Sequence, residues 1–274
     1  MGKRFNFGSG NVLLAFAICF SLFPIFYLVL TAIKPVQVLF ATPPRWWFAL
    51  SFEEFTFLGQ DQLYRQYLIN SIVVTSLSTL VALLLGVTLA YSFSKYNFAG
   101  KEAWFFLIML CRAYPPITTL IPIYLLMRFI GLSDTLIGLI LVYAAFQVPM
   151  VVWIMRSFFS GVPNEISESA QIDGCSPWIM FWQIMVPLVT PGIIAAGILI
   201  FILNWNEFLF AFVLTSVKAK TLPVMIMTFS ETDDVVQWGK LSALGVTTIL
   251  PVIIFGIGLR RYLVQGLTAG AIKG

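Results

Sequence analysis

The chain has no histidine and only three cysteines among its 274 residues. The first absence removes the commonest metal ligand and the side chain that titrates nearest to neutral pH. The second leaves no disulfide framework. Cys19 and Cys111 lie in apolar runs and Cys175 in a polar one, which predicts three free thiols. Charged residues make up only 10% of the chain, leaving no room for a soluble catalytic domain. There is no glycine-rich phosphate loop, no nucleophilic serine motif and no pair of carboxylates within an apolar run. Gly8-Ser9-Gly10 is too short and badly placed to cradle phosphate. A membrane enzyme is therefore the weakest functional reading.

What is abundant is apolar. Hydrophobic residues make up 59% of the chain, and the mean hydropathy is +0.94. Several runs reach the roughly 20 residues that a helix needs to cross a bilayer. Backbone groups in lipid must be satisfied within the segment, and long uniform runs favour helices over barrel strands. The expectation is an all-α membrane protein of about six transmembrane helices. The spans fall at 11–33, 68–93, 103–127, 134–158, 188–214 and 241–259. The first lacks a small-residue cleavage site after a short core and reads as retained. The net charge of +4 reflects membrane flanks and not a nucleic-acid partner.

Orientation rests on charge density. With both ends in the cytoplasm, Lys95 and Lys101 flank a short inner loop and Arg260-Arg261 form a concentrated stop. The charges assigned outside, Lys34, Arg45, Arg65, Arg128, Lys218, Lys220 and Lys240, are spread mainly over two long loops. The first long loop, 34–66, carries Arg45-Trp46-Trp47, which fits either an interface anchor or a docking surface. The second, 215–240, runs to roughly 25 residues, a length at which structureless loops often carry function. Both suit contact with a partner outside the membrane.

Within the spans, Pro24, Pro115, Pro116, Pro122, Pro149 and Pro251 predict kinks or interruptions. Ala82, Gly86 and Ala90 recur every fourth residue and form one small face for close helix packing. Arg112 and Glu207 are charges inside spans, where they are costly and face a bundle interior or an aqueous cavity. Rise per residue puts Arg112 roughly 13 Å into its span and Glu207 roughly 28 Å into its own, which argues against a simple ion pair. Asn204, Trp205, Asn206 and Glu207 together offer amides, a carboxylate and an indole. A sugar needs such groups, and a polar helix–helix contact uses them too.

The most informative stretch lies between the fourth and fifth spans. Pro163 suits the start of a helix, and Glu165 and Glu168 suit its positive end. Asp173-Gly174 predicts the stop, with Gly174 left-handed, and Ser176-Pro177 predicts the N-cap and first residue of a second helix. The result is a helix-turn-helix elbow over 160–187. Glu168, Ala170, Asp173, Gly174, Phe181, Ile184, Pro187 and Pro191 match eight of the eleven positions that define the "EAA" loop. The elbow therefore resembles that loop of ABC-importer permeases. Ser169, Cys175 and Val186 depart from the pattern, each by a small or apolar replacement.

Asn70-Ser71, Trp205-Asn206-Glu207, Arg260-Arg261-Tyr262 and the tail 266–274 extend the resemblance to carbohydrate-importer permeases of the MalG type, as in maltose-type importers. The resemblance implies one permease domain over 1–274, in a bacterial or archaeal cytoplasmic (inner) membrane, crossing it several times. Glu165, Glu168, Ser169, Ala170, Asp173, Gly174 and Cys175 would couple it to an ATPase. Gly266, Thr268, Gly270 and Lys273 would form a tail contact on the cytoplasmic face. Arg112, Asn204, Asn206 and Glu207 would stand along the substrate path. The implied partners are a second homologous permease, two ATPase subunits, an extracytoplasmic solute-binding protein and the bilayer. The chain itself would bind no cofactor, with ATP and Mg held by the ATPases. An ion-coupled secondary transporter is the alternative, but one Glu and one Arg supply few midplane groups and the elbow stays unexplained.

Overall fold

The computed structural model describes residues 9–230 and 237–258, and the regular structure among them is all helical, with no strand. In chain order the helices are α1 (Ser9–Ala32), α2 (Val36–Leu39), α3 (Glu53–Gln60), α4 (Gln62–Lys95) and α5 (Lys101–Ala113). Next come α6 (Pro116–Phe129), α7 (Leu136–Ser160), α8 (Asn164–Ile172) and α9 (Pro177–Ile179). A π-helical stretch, Met180–Met185, leads into α10 (Val186–Leu188). The last are α11 (Thr190–Trp205), α12 (Leu209–Leu214), α13 (Met225–Ser230) and α14 (Trp238–Gly258). Among the described residues four helices are long and apolar enough to cross a membrane, or up to six spans if each of two bent pairs is one.

The bends correct two of the expected spans. The 103–127 run is not one helix, because α5 and α6 meet at 95°. Pro115 forces Tyr114 into extended backbone (ψ 131), and Pro116 then opens α6, where no N–H is needed. The 188–214 run is divided at 206–208, which separates α11 from α12. The 76° bend between Pro177–Leu188 and Thr190–Trp205 lies at the head of that run, where the elbow joins it. By contrast Pro24, Pro122, Pro149 and Pro251 lie inside continuous helices. The second long loop is not structureless either, since it holds a 3-10 turn, Leu222–Val224, and α13.

The chain divides into two compact units. One comprises Met1–Arg65 with Met225–Pro251. Here Gly239 lets α14 approach α3: a Cβ at that position would stand 2.7 Å from Glu54 Oε1. Lys240 Nζ lies 3.9 Å from the centre of the Phe57 ring, a cation–π contact. Burial pushes the Glu54 carboxyl up, against the pull of Lys240 and with a small push from Glu53.

The other unit comprises Gln66–Val224 with Val252–Gly274. Two apolar clusters form along α4 and α7. The first gathers Ala82, Ala90 and Tyr91 of α4, Val151 and Phe159 of α7, and Phe181. The second gathers Val74 of α4, Leu139 and Val142 of α7, and Phe210 and Leu214 of α12. The small face predicted on α4 is the contact. Ala82 and Ala90 are fully buried, and a Cβ on Gly86 would come within 2.5 Å of Val151 Cβ.

Candidate functional site

The elbow is closed by local chemistry. Gly174 has φ +77, the left-handed conformation that glycine adopts without a side-chain clash. Its N–H donates to the Gln171 carbonyl at 3.0 Å, and the Cys175 N–H donates to the Ala170 carbonyl at 3.0 Å. This pair of bonds satisfies carbonyls that the end of α8 would otherwise leave free. Ser176 then caps the second arm, its Oγ accepting from the Ile179 N–H at 3.3 Å, with Pro177 in first place. Pro163 stands one residue ahead of α8, at its cap, and Glu165 lies in the first turn.

Burial divides the elbow into an anchor and a face. Ala170, Met180 and Phe181 are buried. The Phe181 ring lies 5.0 Å from that of Tyr91, which in turn lies 5.4 Å from Phe159. Around the turn, Ile172 is 85% exposed and Trp178 68% exposed. Glu165, Glu168, Ser169, Asp173 and Gly174 are exposed with them, and Cys175 is half-buried. Among the residues expected to couple, Ala170 therefore serves as an anchor and the others surround an apolar tip.

Lys95 provides a second anchor. Its Nζ donates to the Val162 carbonyl at 2.6 Å and to Asn164 Oδ1 at 3.0 Å, which fixes the start of α8 to the end of α4. Between these helices lies a cavity of about 410 Å³ lined by Tyr91, Lys95, Asn97, Ser167, Glu168 and Gln171. In the sequence Lys95 reads only as a flanking charge. The one signal was its place in the last turn of a helix, where a cation is favourable.

The polar residues of the fifth span separate. Asn204 is 2% exposed, and its Nδ2 donates to Ser78 Oγ at 2.9 Å and Thr79 Oγ1 at 3.3 Å. That is a polar contact between α11 and α4. Asn206 is exposed and bonds locally, to the Ile202 carbonyl at 2.7 Å. Glu207 starts the next helix. Its Oε1 accepts from the Phe210 N–H at 2.9 Å and its Oε2 from the Ala211 N–H at 3.2 Å. Arg112 is exposed at the end of α5. It borders a groove of about 380 Å³ lined by Phe105, Met109, Pro149, Met150 and Trp153. Arg112 and Glu207 do not pair. Among the described residues the ion pair is Arg156–Glu102, at 2.7 Å.

A third polar assembly was not foreseen. Asp134, in the turn between α6 and α7, accepts from four consecutive backbone N–H groups, those of Ser216, Val217, Lys218 and Ala219, at 3.0–3.2 Å. Asn70 Nδ2 donates to the Lys218 and Lys220 carbonyls, each at 2.9 Å. Gln66 Nε2 donates to the Lys218 carbonyl at 3.1 Å, and the Leu222 N–H donates to Ser71 Oγ at 2.7 Å. Burial works against the charge on Asp134. The four backbone donors outweigh it and hold the carboxyl below its ordinary value.

Residues 82–269 match the family described as the binding-protein-dependent transport system inner membrane component. The chain belongs to this family. The probable ABC transporter permease protein y4oR of Sinorhizobium fredii is 36% identical over 252 residues, covering 92% of this chain and 90% of its own. The trehalose transport system permease protein SugB of Mycobacterium tuberculosis is 34% identical over 227 residues, covering 82% and 83%. A crystal structure of a bacterial ABC transporter involved in import of the acidic polysaccharide alginate contains a chain of like fold. Its TM-score is 0.78 at 24% identity, with 92% of this chain and 94% of that chain covered.

The protein is thus an ABC-transporter permease, and its relatives are named as permeases and not as enzymes. The ion-coupled alternative finds no support among them. Asn70-Ser71, part of the family resemblance, has a physical role in the permease: it grips the 218–222 backbone. The tail residues Gly266, Thr268, Gly270 and Lys273, with Arg260-Arg261, lie outside the described residues.

Proposed function

We propose that this permease forms half of the path of an ATP-driven importer for a sugar or sugar-like solute, working by alternating access with a second homologous permease. The observation that carries this reading is the elbow. It is capped at both arms, anchored through Phe181, Ala170 and Lys95, and it presents Ile172 and Trp178 to a partner. Exposed apolar side chains on a rigid turn are what a docking surface needs. The partner is an ATPase, one of two beneath the permease pair. ATP and Mg bind there, and this chain holds neither. The elbow and both termini lie in the cytoplasm, and the 215–240 loop faces the solute-binding protein outside. Gly266, Thr268, Gly270 and Lys273 make a further contact beside the ATPases.

The sugar class is supported by the name of the trehalose-system relative. Asn206, Glu207 and Arg112 remain candidates for the substrate path, because Asn206 and Arg112 are exposed and Glu207 is half-buried. Asn204 contributes by holding α11 to α4. Uptake into cells tests the reading. It should stop when ATP is depleted and persist when a protonophore is added at constant ATP. Uptake that follows the proton gradient at constant ATP would overturn it.

A further inference from the structure

The second long loop begins with a segment in which five backbone N–H groups and two carbonyls are bonded by side chains from elsewhere in the chain. The N–H groups of residues 216–219 all point at one carboxylate, that of Asp134. The carbonyls of Lys218 and Lys220 accept from Asn70 and Gln66, and the N–H of Leu222 donates to Ser71. Asp134 closes the assembly on its own backbone, its N–H donating to the Leu214 carbonyl at 2.9 Å. These partners stand 80 to 152 positions apart in the chain. They come from the start of α4 and the turn before α7.

Consecutive N–H groups converging on one point make a concave anion site, and here the anion is built in. Hydrogen bonds to an ionised acceptor are stronger than neutral ones. Asp134 itself takes φ +54, a conformation that few residues other than glycine adopt and that Asp tolerates. Its side chain is thereby turned into the ring of amides. Ser216, Val217 and Lys218 remain exposed on the far side of that ring.

We propose that Asp134 is a positioning residue for the transport cycle: it locks the 215–222 segment to α4 and the α6–α7 turn. A binding protein pressing on the second long loop then moves those helices instead of bending the loop. This rests on the reading that the loop faces the solute-binding protein. A loop held only by its own turns would absorb the contact as local motion. A loop fixed to α4 passes it to the helix whose far end grips the elbow through Lys95.

The test uses the assembled transporter in lipid nanodiscs, with its solute-binding protein in the sugar-loaded form. Asp134→Ala and Asp134→Asn are compared with the wild type by hydrogen exchange and by ATP hydrolysis titrated with binding protein. Amides 216–219 should exchange at least tenfold faster in Asp134→Ala, with a smaller change in Asp134→Asn, which keeps one accepting oxygen. The binding-protein concentration for half-maximal stimulation should rise severalfold, with the maximal rate retained. Unchanged exchange would overturn the lock. Faster exchange with unchanged half-saturation, or a fallen maximum alone, would overturn its role in positioning. Asn70→Ala frees the Lys218 and Lys220 carbonyls from the opposite side and decides the matter if the Asp134 variants do not assemble. It should shift half-saturation in the same direction, and an unshifted titration counts against the proposal. A wild-type complex that the binding protein fails to stimulate would overturn the functional reading, and this inference with it.

Discussion

Asn70 and Lys95 stand near opposite ends of one unbroken helix, α4, about 37 Å apart along its axis, and each fastens a different loop. Asn70 holds the carbonyls of Lys218 and Lys220, and Lys95 holds the carbonyl of Val162 and the side chain of Asn164. The helix between them packs on α7 through its smallest residues, so the two loops share a strut backed by a second long helix. In an importer this arrangement links events at the two loops by geometry, without a change in either loop's own conformation.

The α4–α7 contact should be intolerant of volume. A Cβ on Gly86 would fall 2.5 Å from Val151 Cβ and 3.3 Å from the Val148 carbonyl. Neither neighbour is the far end of a flexible chain. Gly86→Ala is expected to cost about 1–3 kcal/mol by overpacking. Thermal unfolding of the purified permease complex should shift down, and Val151→Ala in the same chain should recover only part of the loss, because it removes the Cγ1 contact at 2.6 Å and keeps the Cβ contact at 2.5 Å. An unshifted melting point would mean that the helices separate at no cost.

At the elbow the strain is of another kind. Nothing lies within 4 Å of a Cβ on Gly174, so a substitution there meets only the backbone term. With φ +77 a β-branched residue is strained by about 1–2 kcal/mol. Gly174→Val should insert into the membrane normally and retain less ATPase on co-purification, whereas Gly174→Asn should be milder. Normal sugar-stimulated hydrolysis in a well-assembled Gly174→Val complex would remove the elbow from the coupling scheme.

Local chemistry is what made the elbow legible. Its caps, its left-handed glycine and its prolines act within four or five residues, and sequence spacing records that range. The same holds for the break at Tyr114, which follows from the proline after it, although the 95° angle does not. The break at 206–208 left no trace, because it contains neither Gly nor Pro and depends on Glu207 turning its carboxylate onto the next helix. The bonds made by Lys95 and Asp134 were hidden for a different reason. Their partners are 67 and more than 80 positions away, so only the folded chain defines them.

The lock at Asp134 carries a pH signature. Its folded carboxyl titrates below the ordinary carboxylate range, because the four backbone donors outweigh burial. A depressed carboxylate contributes stability that is fully present above the unfolded pKa, about 3.9, and is lost as pH falls through the lower folded value. Protection of amides 216–219, corrected for intrinsic exchange, should therefore be flat from pH 8 to about 5 and fall only in stronger acid. Asp134→Asn should abolish that fall. Glu54 runs the other way, since its raised carboxyl favours the folded state more as the pH drops. Loss of protection centred near neutral pH would contradict the assignment.

Glu207 is the residue at which a structural role and a substrate role can be told apart. Its two carboxylate oxygens accept from the N–H groups of Phe210 and Ala211, which the start of α12 would otherwise leave without partners. A negative charge there is also favoured by the helix dipole. Gln at this position keeps one acceptor and turns an NH2 group toward the second N–H. The cap is then half lost, at about 1 kcal/mol. If capping is the whole of its role, Glu207→Gln should lower the melting temperature of the complex by a few degrees and leave the solute concentration for half-maximal uptake unchanged. Asn206 is its exposed neighbour, its Nδ2 bonded to the Ile202 carbonyl one turn back. Asn206→Ala should therefore do the opposite if the break lines the path, sparing stability and raising the half-saturating solute concentration severalfold. Uptake titrations and thermal melts on the two single variants decide the division. A Glu207→Gln permease that melts normally but binds solute poorly would make the carboxylate a substrate group first and a cap second.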